Sequence, residues 1–451
     1  MKYYLTVDFG STYTKMCAVD VEAKKVIATA KAFTTIQSDV REGFNAALAE
    51  LESSTGKLQY AEKLACSSAG GGLKMIAVGL VPDLTAKAAR MAASSAGAKV
   101  THTFSYELSS REQDTINKAE PDIVLLCGGT DGGNREVIIH NAKKIAEIEK
   151  NFSVIYAGNK SAADESEKIL QNKNLIVCEN VMPVFNKLNI APAKNAIRAL
   201  FIERIVDAKG LTGIQKEMTA EIIPTPLAVF QAAELLSKNS NDLVAVDVGG
   251  ATTDVYSMCD GKPSMHNVVI KGLPEPFAKR SVEGDLGLRY NIDSLAESAS
   301  TEIIARDLNI SEDAVKAWIA VCKNNPETIS PEDSADRKID EYLCSHAVKV
   351  AMERHCGTVE SVYTPLGETI LMSGKDLTKV PMLIGIGGPV INSQAPAAIL
   401  RAVLHDGGEF LKPLSPKFFL DRKYVFASMG LVAKVDPRLA LEIMKDEIVE
   451  I

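Results

Sequence analysis

The 451-residue sequence predicts an α/β protein of two similar lobes, the first carrying an inserted α/β subdomain and the second a helix-rich insertion. Three observations lead there. Val7-Asp8-Phe9-Gly10-Ser11-Thr12-Tyr13-Thr14-Lys15 lies without gaps over Val246-Asp247-Val248-Gly249-Gly250-Ala251-Thr252-Thr253-Asp254, and each copy opens a strand-rich segment. Strand and helix patterns alternate from about 60 to 190, as a parallel sheet requires. Helical patterns dominate from about 285 to 355. The copies stand far beyond the roughly 20–50-residue period of a solenoid, so the repeat describes two lobes, residues 1–238 and 239–451.

In chain order, residues 2–7, 14–19 and 26–32 read as short strands, the first two joined at Gly10 to Tyr13. Asp39 is a helix N-cap with Glu42 as its reciprocal partner, and Val40, Phe44, Ala47, Leu48 and Leu51 fall on one face of the helix that follows. The subdomain takes strands at Lys63–Ser67, Lys99–Phe104, Asp122–Leu126, Phe152–Ala157 and Asn174–Cys178, separated by helices such as Leu84–Gly97 and Asn134–Lys150. Two glycine clusters end strands there, Ser67–Gly72 and Gly128–Gly133. The second either reaches a bound group or a partner protein, or is only a sharp strand-to-helix turn.

Ala191–Ala208 reads as a helix ending at Gly210, and a shorter helix, Leu227–Leu236, follows Pro224-Thr225-Pro226. The second lobe then gives strands at 243–247, 253–258 and 265–270, matching the opening order of the first. Beyond the helix-rich insertion, strands resume at Val359–Val362, Thr369–Met372 and Met382–Ile386, the last running into Gly385-Ile386-Gly387-Gly388-Pro389.

Composition narrows the function classes. A net charge of −8 without a dense Lys/Arg run argues against a general nucleic-acid or membrane-surface role. The N-terminus lacks the three regions of a signal peptide, and no segment has the roughly 18 apolar residues of a spanning helix, so a cytoplasmic location is expected. Eight scattered cysteines without a CxxC pair read as reduced core residues, and His346, His355 and Cys356 have no partner pair at zinc spacing.

The duplicated hairpin carries the chemistry. Glycine lets backbone amides converge on phosphate oxygens, and an acid at the strand end can hold a hydrated divalent ion. A single Asp-Gly turn is commonly just a turn. Two facing copies make a clamp on a metal-bound polyphosphate.

These pieces resemble the actin, sugar kinase and Hsp70 ATPase superfamily, whose two ribonuclease H-like lobes close over ATP. Asp8–Lys15 matches its first phosphate motif, Asp247–Asp254 the second and Gly385–Pro389 the adenosine motif. Pro226-Leu227-Ala228 is similar to its interdomain connector. Hsp70-like members carry a glutamate before that proline; Thr225 stands there, so no catalytic connector glutamate is implied. Within the superfamily, nearly the whole chain resembles the MutL (GlmL) family of accessory proteins of adenosylcobalamin-dependent glutamate mutase and related aminomutases. That likeness rests on Asp8–Lys15, Ser67–Gly72, Val78–Pro82, Gly128–Asn134, Asp247–Asp254 and Ser281–Gly287.

The resemblance implies an ATP-dependent reactivating factor that frees a mutase of damaged cobalamin, with mutase subunits as partners and ATP and Mg²⁺ as cofactors. Asp8 and Asp247 are expected to hold Mg²⁺, and Asp247 or Asp254 to orient the attacking water, in a slow ATPase. Gly10, Ser11, Thr12, Tyr13, Lys15, Gly249, Gly250, Ala251, Thr252 and Thr253 are expected to face the phosphates. Gly385, Gly387, Gly388 and Pro389 are expected to face the adenosine, with Glu283 and Asp285 near that side or capping a helix. A small-molecule kinase of the same fold and an actin- or FtsA-like filament or scaffold protein are the alternatives, and whether the chain forms a homodimer stays open. The cobalamin-binding signature DxHxxG is absent, so the cofactor belongs to the partner.

Overall fold

A computed structural model describes residues 1–35, 39–68, 74–96, 98–206, 211–265, 267–364 and 367–451. The chain forms two compact units, Gly72–Ala208 and the remainder, Met1–Gly71 with Lys209–Ile451.

The larger unit holds two sheets of one topology. In the first, Lys25–Phe33, Tyr13–Asp20, Tyr3–Phe9, Tyr60–Ser67 and Ile223–Pro224 lie side by side in that order. In the second, Ala278–Glu283, Thr253–Met258, Leu243–Val248, Met382–Ile386 and Lys417–Asp421 repeat the order, and Ile448–Glu450 adds an edge. Both sheets begin with three antiparallel strands and continue with two parallel ones, and the Ile448–Glu450 edge of the second runs antiparallel. The sequence repeat is therefore a repeat of register: Asp8 pairs with Lys15 in one hairpin, and Asp247 with Asp254 in the other. Gly10 N–H donates to Tyr13 O at 3.1 Å, and the aligned Gly249 N–H to Thr252 O at 2.9 Å.

One strand assignment is corrected. The third strand of the second sheet is Ala278–Glu283. Val268–Lys271, overlapping the expected 265–270 strand, instead joins Thr358–Thr364 and Gly367–Ser373 in a separate three-stranded sheet. Both segments are short and apolar-polar mixed, so periodicity alone could not rank them.

Between the two sheets lie the helices Thr225–Asn239, Val425–Val432 and Pro437–Glu447. Val229, Phe230, Phe426 and Met429 share one core with Tyr4 and Val19 of the first sheet and Ala245 and Ile384 of the second. The first two helices meet at backbone distance: a Cβ on Gly430 would sit 1.8 Å from Ala228 O. Asp39 is the N-cap of the helix Val40–Thr55, its carboxylate accepting from Arg41 N–H at 2.8 Å, and the helix buries Val40, Phe44, Ala47 and Leu51. The helix-rich insertion comprises Ile292–Ala299, Thr301–Leu308, Glu312–Asn324 and Ala335–His355.

The smaller unit is a five-stranded parallel sheet in the order Lys99–Ser105, Lys74–Gly79, Ile123–Leu126, Ser153–Tyr156, Asn174–Val177. Two expectations change. Lys63–Ser67 belongs to the larger unit's first sheet, and Lys74–Gly79 was not foreseen as a strand. It is buried from Met75 to Gly79, and a strand covered on both faces lacks the alternation that marks a half-buried one. The expected glycines Gly70–Gly72, Gly97 and Gly210 lie outside the described residues. Among the described residues, no helix is long and apolar enough to cross a membrane.

Candidate functional site

The two hairpin turns face each other. A Cβ built on Gly250 would lie 3.3 Å from Thr12 Oγ1, and the Tyr290 hydroxyl reaches Ser11 O at 3.5 Å. The second turn is tied down through its carbonyls. Leu288 N–H donates to Gly249 O, Arg289 and Tyr290 N–H to Gly250 O, and the Asn291 amide to Ala251 O, at 2.7–3.1 Å. With the carbonyls engaged from behind, the Gly250 and Ala251 N–H groups meet no acceptor among the described residues. Ser11 and Thr12 N–H in the first turn are likewise open. Open amides converging at a glycine turn form an anion cradle.

Four carboxylates stand at these strand ends: Asp8, Asp247, Asp254 and Asp421, the last not singled out by sequence. Asp8, Asp247 and Asp421 each close a largely apolar run, visible at Phe418-Phe419-Leu420-Asp421 but there without a following glycine, whereas Asp254 opens its strand. Three of the four are held by donors. Asp8 Oδ1 accepts from Thr225 Oγ1 at 2.6 Å and from Cys66 Sγ at 3.4 Å. Asp254 Oδ1 accepts from Arg280 at 2.6 and 3.0 Å, and its Oδ2 from Thr252 Oγ1 at 3.0 Å. Asp421 caps a helix, accepting from Val425 and Phe426 N–H at 2.8 and 3.0 Å. The Asp247 carboxylate receives no hydrogen bond among the described residues.

Its protonation follows. Enclosure by protein and the neighbouring Asp254 charge push the Asp247 pKa up to about 7, with Lys15 pulling the other way and Asp8 and Asp421 adding to the rise. Burial raises Asp421 to about 6, with its two backbone donors opposing. Lys15 turns inward as the local cation, its Nζ 4.4 Å from the centre of the Tyr424 ring. Behind Asp254, the Arg280 side chain is 3% exposed, so that ion pair lies out of water.

Gly387 brings the third motif to the acids. Its φ is +88°, and a Cβ there would lie 2.1 Å from Val248 O and 2.7 Å from Asp247 Oδ1. Gly388 and Pro389 open the short helix Gly388–Ile391, where Asn392 donates to the Tyr424 hydroxyl at 2.7 Å. Gly385 faces inward, toward Val390 and Leu400.

Other expected residues sit at the margins. Thr253 Oγ1 donates to Leu286 O at 2.7 Å, and Tyr13 packs edge-on against Phe33. Glu283 and Asp285 both accept from Arg354, at 2.8–2.9 Å, forming a cluster of their own.

The donor set fits a hydrated divalent ion. Asp254 is paired with Arg280, which leaves Lys15 as the cation nearest Asp247, and burial first and the Asp254 charge second raise the Asp247 pKa. Among the described residues, no group of three or more His, Cys, Asp or Glu side chains forms a closed metal cage.

An α/β protein whose two sheets share one topology, each ending its first strand in an acid beside an open glycine turn, is the class that fold and site define. The chain belongs to the MutL family: the family model described as MutL protein matches residues 4–448. It is 46% identical over 465 aligned residues to Protein MutL of Clostridium tetanomorphum, with 100% of both chains covered.

Solved structures similar to it include nucleotide-free acetone carboxylase (TM-score 0.43, 14% identity, 95% of this chain and 70% of that one). Nucleotide-free diol dehydratase-reactivating factor is another (TM-score 0.38, 11% identity, 96% and 100%). A third is component A of (R)-2-hydroxyglutaryl-CoA dehydratase from Acidaminococcus fermentans (TM-score 0.31, 8% identity, 99% and 99%).

Proposed function

We propose that this protein is an ATP-driven accessory factor that remodels an adenosylcobalamin-dependent mutase of the glutamate mutase kind and releases its damaged cobalamin. The observation that carries the ATP half of this reading is the matched pair of hairpins, with open amides at both turns and acids at both strand ends. Family membership supports the accessory half.

In this reading the Ser11, Thr12, Gly250 and Ala251 amides bind the β- and γ-phosphates, and Lys15 neutralises charge beside them. Asp8 and Asp247 hold the hydrated Mg²⁺, which when bound supplies charge neutralisation on the phosphates. Asp247 is the acid free to accept a proton from the attacking water, because Asp254 is committed to Arg280 and Thr252. Thr225 takes a place that a connector glutamate would hold and fixes Asp8 instead.

The test is recovery of a hydroxocobalamin-inactivated glutamate mutase by this protein, ATP, Mg²⁺ and fresh adenosylcobalamin, with Asp247→Ala as control. Recovery by wild type alone supports the reading. Rapid phosphorylation of a metabolite without recovery supports a kinase instead.

A further inference from the structure

The glycine-rich loop Gly128–Asn134 of the smaller unit is built unlike the two hairpin turns. Three of its amides are spent internally: Asp131 N–H donates to Pro183 O at 3.0 Å, Gly132 N–H to Asn159 Oδ1 at 3.0 Å, and Gly133 N–H to Thr130 O at 2.9 Å. The buried Asn159 also donates to Gly133 O and Asn134 O, both at 3.0 Å. The strand order places the ligand crevice of such a sheet between Lys74–Gly79 and Ile123–Leu126. Leu80 closes it, since a Cβ on Gly128 would lie 3.5 Å from Leu80 Cβ, and Thr85 Oγ1 takes the Leu80 and Val81 N–H groups.

What the loop does is brace a neighbour. The buried Asn180 donates to Gly129 O and Asp131 Oδ1, each at 3.0 Å, and accepts from Met182 N–H at 3.0 Å. Those bonds fix the start of a tight turn, Val184–Lys187, closed by Lys187 N–H to Val184 O at 2.9 Å with Asn186 at φ +61°. At its tip Val184 is 58% and Phe185 64% exposed.

The far side of the same sheet end repeats the device. Tyr106, directly after Lys99–Ser105, is 61% exposed at φ +66°, a strained conformation for an aromatic residue. Leu80 O accepts from its N–H at 3.1 Å, and Asn141 Nδ2 donates to its carbonyl at 2.9 Å. Aromatic side chains on backbone fixed in advance are the anchors of protein interfaces, because little freedom is lost on docking. The strands that precede them, Lys99–Ser105 directly and Asn174–Val177 several residues earlier, are the outermost two of five, about 19 Å apart at ~4.8 Å per step.

Glu107 and Arg111, close to Tyr106 in the chain, are exposed, as are Glu179 and Lys187 on either side of Phe185 in the chain. A rim of both signs suits a folded protein surface and not a nucleic acid or an acidic membrane, which need one sign.

We infer that Tyr106 and the Val184–Phe185 tip form a docking surface for a folded protein partner, the mutase client, whose apolar pockets receive both aromatic side chains. This rests on the function proposed above.

The experiment measures equilibrium binding of full-length protein to purified hydroxocobalamin-loaded glutamate mutase, with ATP binding followed in parallel. Phe185→Ser and Tyr106→Ser should each weaken mutase binding tenfold or more and leave ATP affinity and thermal stability as in wild type. Phe185→Leu, which keeps an apolar tip, should retain most of the binding. Mutase binding unchanged in the Tyr106→Ser/Phe185→Ser double variant overturns the docking surface and leaves the proposed function standing. Wild type that binds no mutase overturns both.

Discussion

Thr225 Oγ1 donates to Asp8 Oδ1 across 2.6 Å, joining the first turn of the connecting helix to the acid of the first hairpin. Asp8 is 9% exposed, so the bond works out of bulk water. A hydrogen bond to a charged group contributes about 1.5–3 kcal/mol. Thr225→Val removes the donor at equal volume and should weaken Mg·ATP binding roughly tenfold to a hundredfold, read by calorimetry. Thr225→Ser should bind as wild type. Thr225→Glu sets a second carboxylate against Asp8 and should bind worse than Val.

Stability and divalent ions are linked through Asp247 and Asp421. Both have folded pKa values raised by burial, to about 7 and about 6. A raised carboxyl contributes stability that is fully present below its unfolded pKa and lost as pH rises through the folded value. The metal-free protein should therefore lose this contribution between about pH 4 and about pH 7. Mg²⁺ competes with protons at the same acids, so its stabilising shift in Tm should be larger near pH 8 than near pH 5. Scanning fluorimetry with and without MgCl₂ checks the sign.

The Arg280–Asp254 pair is a structural wall behind Asp247. Removing one partner of a buried pair costs about 3–5 kcal/mol, whereas replacing both by apolar groups is often close to neutral. Arg280→Met should destabilise the protein by roughly that amount in urea unfolding, and Arg280→Met/Asp254→Leu should recover much of it.

Gly387 should accept no side chain. Gly387→Ala combines a φ of +88° with a Cβ 2.7 Å from Asp247 Oδ1, so it should lower Tm and abolish detectable ATP binding together. Gly388→Ala, whose Cβ would meet only the Tyr424 hydroxyl at 3.4 Å and Asn392 at 3.7 Å, should be milder.

The hairpins were legible in the sequence because one local pattern encodes both the strand pair and its acid, and duplication exposed it. Lys15 and Asp247 could be named for the same reason. Thr225 and Arg280 act through contacts far along the chain, Thr225 with Asp8 and Arg280 with Asp254, and no local period reports such meetings; Asp421 bonds near neighbours, Val425 and Phe426 N–H, but has no glycine turn after it to mark it. Lys74–Gly79 escaped because a strand buried on both faces has no alternation to read. The Gly128–Gly133 cluster resembled the phosphate turns in composition alone; the amides of Asp131, Gly132 and Gly133 point to internal acceptors.

The most direct test is single-turnover ATP hydrolysis by Asp247→Asn, a substitution of equal size that removes the one strand-end acid without a donor. A positioned base contributes about 10²–10⁴ in rate, so hydrolysis should fall at least a hundredfold while ATP is still bound. Hydrolysis by Asp247→Asn at the wild-type rate would contradict the account.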